Sequence, residues 1–243
     1  MSQSLKRFWN DVAVAQEAEQ LAFTVRLDGR AFRLPGGTTL TVSSRALAEA
    51  IAEEWRAIPA GATFRTSDLP MTQMAGTQIE RIAPDRTQII GGLAAYGDND
   101  LLCYRASGSL GREQDALFDP VLDEFSRRHG VRPPVTRSLM PVTIEPALQQ
   151  AYGCALKAMD DPGLACAAVC APATGSLIIA IGLVQGWLLA EQALAMASVE
   201  ERHQMAQWGE DDALIGEIER NGMDLAAALR FHALSHQSET KQA

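Results

Sequence analysis

Side chains able to move protons, hold metal or attack carbon occur along this chain in small groups, and the spacing within each group decides what it could do. Glu200 and His203 stand three apart on one helical face. That is half of a carboxylate-bridged di-metal centre, which needs a second such pair and further inward carboxylates, and no second pair exists. His232 and His236 are four apart without the intervening Glu of a zinc protease helix. Cys166 and Cys170 share a helix face, but a zinc site would need two more ligands. They read instead as small core residues. No Gly-x-Ser-x-Gly elbow presents a serine nucleophile. Gly36-Gly37 lies in a hairpin loop, Gly91-Gly92 mid-helix, and Thr174-Gly175-Ser176 lacks a following Lys, so no backbone cradle for phosphate is expected. The expectation is a chain with no catalytic residue, no cofactor and no metal.

Two acidic segments remain. In the first, Tyr96-Gly97-Asp98-Asn99-Asp100 runs into Leu101-Leu102-Cys103-Tyr104-Arg105, a turn-rich patch that meets a short apolar stretch closed by Tyr and Arg. In the second, Glu210, Asp211 and Asp212 follow Trp208-Gly209. Acidic residues before a helix complement its dipole, which suits Asp211 and Asp212. A Trp beside a carboxylate is also the composition of an interface anchor, and Glu210 admits both readings.

The elements that must position these groups change character near Ser43. Before it, Phe23, Val25 and Leu27 alternate with Thr24, Arg26 and Asp28, predicting a half-buried strand. Asp28-Gly29 supplies a hairpin turn, Ala31 to Leu34 a return strand, and Thr39 to Val42 a third strand. After it, Leu47, Ile51 and Trp55 recur behind a Ser N-cap, and helices follow to the end. These cover Met71 to Ile82 behind Pro70, Ile89 to Tyr96, Leu117 to Phe125 with a break or kink at Asp119-Pro120, Leu148 to Met159, Glu191 to Gln207, and Leu214 to Leu234. Leu101 to Tyr104 reads as a short strand or extended connector. The fold class is α+β: a small N-terminal antiparallel β domain, residues 1–43, and a larger α-helical domain, residues 44–243.

Composition sets the outer bounds. Hydrophobic residues at 47% and charged residues at 21% of 243 are ordinary for a globular chain that buries a core. A net charge of −9 opposes binding to nucleic acid, which depends on Lys and Arg displacing counterions, and permits steering toward a basic protein surface. From Leu164 to Ala190 no residue is charged. Pro172, Thr174, Gly175 and Ser176 divide that run into pieces shorter than the ~20 residues of a membrane span, so a buried helical hairpin is expected. Four cysteines without disulfide-framework spacing, and no signal peptide before them, point to a reducing compartment.

The order Lys6-Arg7-Phe8-Trp9, Leu27-Asp28-Gly29-Arg30, Ala52-Glu53-Glu54-Trp55, Leu69-Pro70-Met71-Thr72, Tyr96 to Arg105 and Gln207-Trp208-Gly209-Glu210-Asp211 resembles the ATP-twelve family of ATP synthase assembly chaperones. The resemblance runs from Lys6 to about Phe231, and a family motif reached so soon, with no room for an Arg-rich transit segment before it, implies a bacterial cytoplasmic member. It implies a non-enzymatic chaperone whose client is the alpha subunit of the catalytic sector, shielded on the face destined for the beta subunit. It places client contacts at Trp208, Glu210, Asp211, Asp98, Asp100, Tyr104 and Arg105. The rival reading is a cofactor-independent enzyme or small-ligand protein using an interdomain cleft with Asp98, Asp100, Arg105 or Glu210.

Overall fold

The computed structural model describes residues 4–17, 22–138 and 140–237. By packing, the chain forms two compact units, Met1–Asp85 together with Arg230–Ala243, and Arg86–Leu229. The change from strand to helix at Ser43 is a change of secondary structure inside the first unit.

In the first unit, β1 (Leu5–Lys6) pairs antiparallel with β6 (Thr63–Phe64). The main sheet has four strands, β2 (Val12–Glu17), β3 (Ala22–Leu27), β4 (Arg30–Ala31) and β5 (Thr41–Val42), with β3 paired to all three others. Asp28 and Gly29 both take positive φ, 48° and 78°, the geometry of a type I′ turn whose twist matches the strands it joins. Asp28 Oδ1 accepts the backbone N–H groups of Asn10 and Asp11 at 2.9 and 2.8 Å, which lowers its pKa. The expected return and third strands are present in shorter form, linked by an Arg33–Thr39 bridge. The strand β2 has no counterpart in the sequence reading, because Val-Ala-Val-Ala-Gln-Glu is graded in burial and carries no strong alternation.

Helix α1 (Arg45–Ala57) lies on β2 and β3. Ser44 Oγ accepts the Leu47 N–H, and Leu47, Ile51 and Trp55 are buried as the four-residue spacing predicts. Trp55 is the hub of an aromatic cluster, with ring centroids 4.8 Å from Trp9, 4.6 Å from Phe32 and 5.9 Å from Phe64. Its indole N–H donates to Thr72 Oγ1 at 3.0 Å. Edge-to-face pairs of this kind contribute about 0.5–1.5 kcal/mol each beyond area burial. Helix α2 (Pro70–Thr77) opens with Pro at its first turn, and Glu54 accepts the otherwise unpaired Met71 and Thr72 N–H groups at 2.6 and 2.9 Å. Burial raises the pKa of Glu54 and these bonds oppose the rise. A wide π turn over Gln78–Ile82 completes the Met71-to-Ile82 segment.

In the second unit, α3 (Arg86–Tyr96) has no fully buried residue. Helix α4 (Gly108–His129) runs through Pro120 without interruption and ends at Gly130, φ 74°. Helix α5 (Pro146–Lys157) buries Leu148, Ala151, Tyr152, Ala155 and Leu156, the expected stripe. The uncharged run becomes α6 (Asp161–Thr174) and α7 (Leu177–Val184), packed on each other across Gly175, φ 67°. At 1.5 Å per residue these are ~21 and ~12 Å long, well short of a ~30 Å hydrocarbon core. Among the described residues no helix is long and apolar enough to cross a membrane. The Glu191-to-Gln207 helix is two, α8 (Ala190–Ala197) and α9 (Val199–Trp208), broken at Ser198, whose hydroxyl donates to Leu194 O at 2.6 Å. Helix α10 (Asp212–Ser235) begins in the second unit, and its residues from Arg230 belong to the first.

Candidate functional site

Gly97 follows α3 in a 3₁₀ turn, Gly97–Asn99, and sits so close to α5 that a Cβ there would lie 2.7 Å from Tyr152 Cε2. Asp100 then caps the turn Leu101–Cys103, so the expected strand or connector is a tight turn. The Asp100 side chain is fully buried. Oδ1 accepts the Leu102 N–H and Oδ2 the Ile178 N–H, both at 3.0 Å, joining the turn to the start of α7. Leu101 N–H donates to Gly175 O at 2.9 Å, a second tie between the same segments. Burial lifts the Asp100 pKa to about 6 against the lowering effect of its hydrogen bonds to Ile178, Ser176, Leu102 and Leu177.

Arg105 is buried as well. It donates to Leu102 O and, at 3.2 Å, to Asp119 Oδ1, and its guanidinium stacks 4.6 Å from the Phe118 ring. Asp115 is 3.3 Å from its Nε. Backbone pairing of Cys103 and Arg105 with Thr136 at 2.9 Å holds the extended segment after α4 against Cys103–Arg105. Burial lowers the Arg105 pKa, with Asp119 and Asp115 opposing. Asp100 and Arg105, both expected at a client surface, are buried in this chain and act as internal ties. Asp98 and Tyr104 are half-buried: Asp98 accepts from the Gln149 amide, and Tyr104 Oη accepts the Val142 N–H at 3.4 Å.

The second acidic segment is outward. Trp208 ends α9 with 78% of its surface exposed. Gly209 turns the chain at φ 97°, ψ 166°, and Glu210 is exposed. Asp211 Oδ1 accepts the N–H groups of Ala213 and Leu214 at 2.8 and 3.3 Å, capping α10. Beyond it Asp212, Glu217, Glu219 and Asp224 are exposed, against one exposed base, Arg220, between Trp208 and Asp224. Met223, 63% exposed, lies in the same stretch.

His203 and the Cys166–Cys170 pair are engaged in structure. His203 Nε2 accepts from the Gln207 amide at 2.8 Å while Nδ1 is 3.1 Å from Glu113, so His203 joins α9 to α4 and makes no pair with Glu200. Cys166 and Cys170 are buried with sulfurs 3.8 Å apart, and this contact together with burial raises the Cys170 pKa. A depression of about 510 Å³ is lined by Asp115, Asp119, Arg132, Arg137 and the Pro133-Pro134-Val135 segment. Its charges are spent on each other, Arg137 on Asp115 and Arg132 on Asp119 and Asp123. Among the described residues, the second acidic segment offers an exposed aromatic next in the chain to the exposed carboxylates Glu210, Asp211 and Asp212.

The family model described as ATP12 chaperone protein matches residues 6–126. The mitochondrial protein atp12 of Schizosaccharomyces pombe is 25% identical over 220 residues, covering 85% of this chain and 74% of its own length. Among solved structures, Atp12 from Paracoccus denitrificans aligns with a TM-score of 0.84 at 29% identity, covering 95% of this chain and 98% of that one. The Atu1473 protein from Agrobacterium tumefaciens aligns at 0.86 and 32% identity, over 95% of this chain and 86% of its own.

Proposed function

Because this chain belongs to the ATP12 family of ATP synthase assembly chaperones, we propose that it binds the unassembled alpha subunit of the catalytic sector, in a bacterial cytoplasm, through a face centred on Trp208 and Glu210. The observation that carries this reading is the exposure of Trp208 beside a run of exposed carboxylates. An indole held in water costs free energy that burial in a partner recovers, and the surrounding negative charge selects a basic rim on that partner. A subunit awaiting assembly exposes apolar surface that drives aggregation, and covering it needs no bond to be made or broken. Release follows when the beta subunit offers a larger interface for the same face. Asp98 and Tyr104, half-buried on the signature turn, are the members of the first acidic segment that can still reach a client.

The test is light scattering of purified alpha subunit, without nucleotide, with and without a stoichiometric amount of this protein. Suppressed aggregation is expected. Glu210→Lys should weaken co-purification with alpha while leaving the thermal midpoint within about 2 °C of wild type, as for a surface change. Equal aggregation in both samples, with the chaperone still folded, refutes the client assignment; wild-type binding by Glu210→Lys removes Glu210 from the face.

A further inference from the structure

We propose that Gly209 and Asp211 are positioning residues, which together fix the direction in which Trp208 and Glu210 leave the junction between α9 and α10. The inference rests on the preceding reading, in which those two side chains meet the client. Gly209 lies at φ 97°, ψ 166°, a region essentially closed to any residue with a Cβ. Its N–H still donates to Met205 O at 2.9 Å, so α9 closes and the chain turns within one residue. Two positions later Asp211 starts the next helix. Its side chain receives Ala213 and Leu214, and its carbonyl receives the Ile215 N–H at 2.9 Å.

Glu210 is thus the single residue between a glycine-only bend and a helix cap, with the backbone set on both sides and the side chain in solvent. An anchor held in place before binding loses less freedom on binding, so affinity depends on neighbours that never touch the partner. The Asp211 carboxylate is already occupied by N–H groups of its own helix, which makes its part conformational. A direct contact would need its charge; a cap needs only an acceptor oxygen. Asn and Ser supply that oxygen, and Ala does not.

The experiment titrates purified alpha subunit against wild type, Asp211→Ala, Asp211→Asn, Asp211→Ser and Gly209→Ala. Asp211→Ala should weaken binding about fivefold, since loss of a cap lowers the fraction of chains in the competent geometry. The neutral Asn and Ser variants should return to within about twofold of wild type. Gly209→Ala should weaken binding by at least as much as Asp211→Ala. Amide exchange at Ala213, Leu214 and Ile215, and the fluorescence anisotropy of Trp208 after subtraction of a Trp208→Phe spectrum, are read on the same variants without client. Faster exchange and lower anisotropy in the Ala variant, restored by Asn and Ser, support the proposal. An Asn variant as weak as the Ala variant would show that charge is the operative property and overturn it, as would an Ala variant that matches wild type in binding or in both client-free readouts. If wild type itself does not bind alpha, the client reading fails, and the exchange and anisotropy series still decides the positioning role.

Discussion

Replacing Asp100 with Ala removes the acceptor for two buried N–H groups, Leu102 and Ile178, both at 3.0 Å. Each orphaned donor costs about 1–3 kcal/mol, so a loss of about 2–6 kcal/mol is expected. The pH dependence is sharper than the magnitude. The carboxyl has a pKa of about 6 when folded and an ordinary value of 3.8, so within that window the folded chain keeps a proton that the unfolded chain has released. Stability therefore falls as pH rises from 3.8 to about 6, by about 3 kcal/mol at about 1.4 kcal/mol per unit, and levels off above. Asp100→Ala lacks this slope, so its deficit relative to wild type should be about 2.4 kcal/mol larger at pH 4 than at pH 7. Urea unfolding of both proteins from pH 4 to pH 8 measures the difference, in which all other titrating groups cancel. Parallel curves, or a deficit under about 1 kcal/mol at pH 4, would refute the argument that this carboxyl is a buried tie with a raised pKa.

Two further outcomes follow from packing. Gly97→Ala should destabilise by about 1–3 kcal/mol in urea unfolding, because its Cβ meets the immobile Tyr152 ring, whereas Gly91→Ala, with open space at its Cβ, should stabilise by about 0.5–1 kcal/mol. Iodoacetamide under native conditions should add one adduct by mass, at exposed Cys154, since Cys103, Cys166 and Cys170 are buried and burial pushes the Cys103 thiol up to about 12; additional adducts without unfolding would contradict the burial.

Local signals proved readable where the answer is local. Ser44 followed by apolar residues every four positions defines α1, and Asp28-Gly29 defines its hairpin, because cap and turn are decided by neighbouring backbone. Gly175 likewise divides the uncharged run into two short buried helices. Asp100 was unreadable for the opposite reason. An Asp in an acidic turn has the sequence appearance of a solvated group, and its partner Ile178 lies 78 positions away. Arg105 reads as a surface charge until α4 brings Asp115, Asp119 and Phe118 around it. The break at Ser198 escaped because a side-chain bond back to Leu194 interrupts a pattern that remains helical on both sides. At the second acidic segment, the capping role expected of Asp211 is visible directly in its bonds to Ala213 and Leu214.

The first unit is discontinuous in the chain: it holds residues through Asp85 and again from Arg230. The late part includes Phe231, wholly buried, and Gln237, whose carbonyl accepts the Ser44 hydroxyl at 3.2 Å. During synthesis the sheet and α1 leave the ribosome before the second unit, and the residues that complete their own unit leave only after it. That unit closes only over a sequence separation of 193 residues, whereas the second unit, Arg86–Leu229, is continuous and can condense as it emerges. A chain stalled before Arg230 would hold its own first unit open, so that an assembly chaperone passes through an unassembled state of its own.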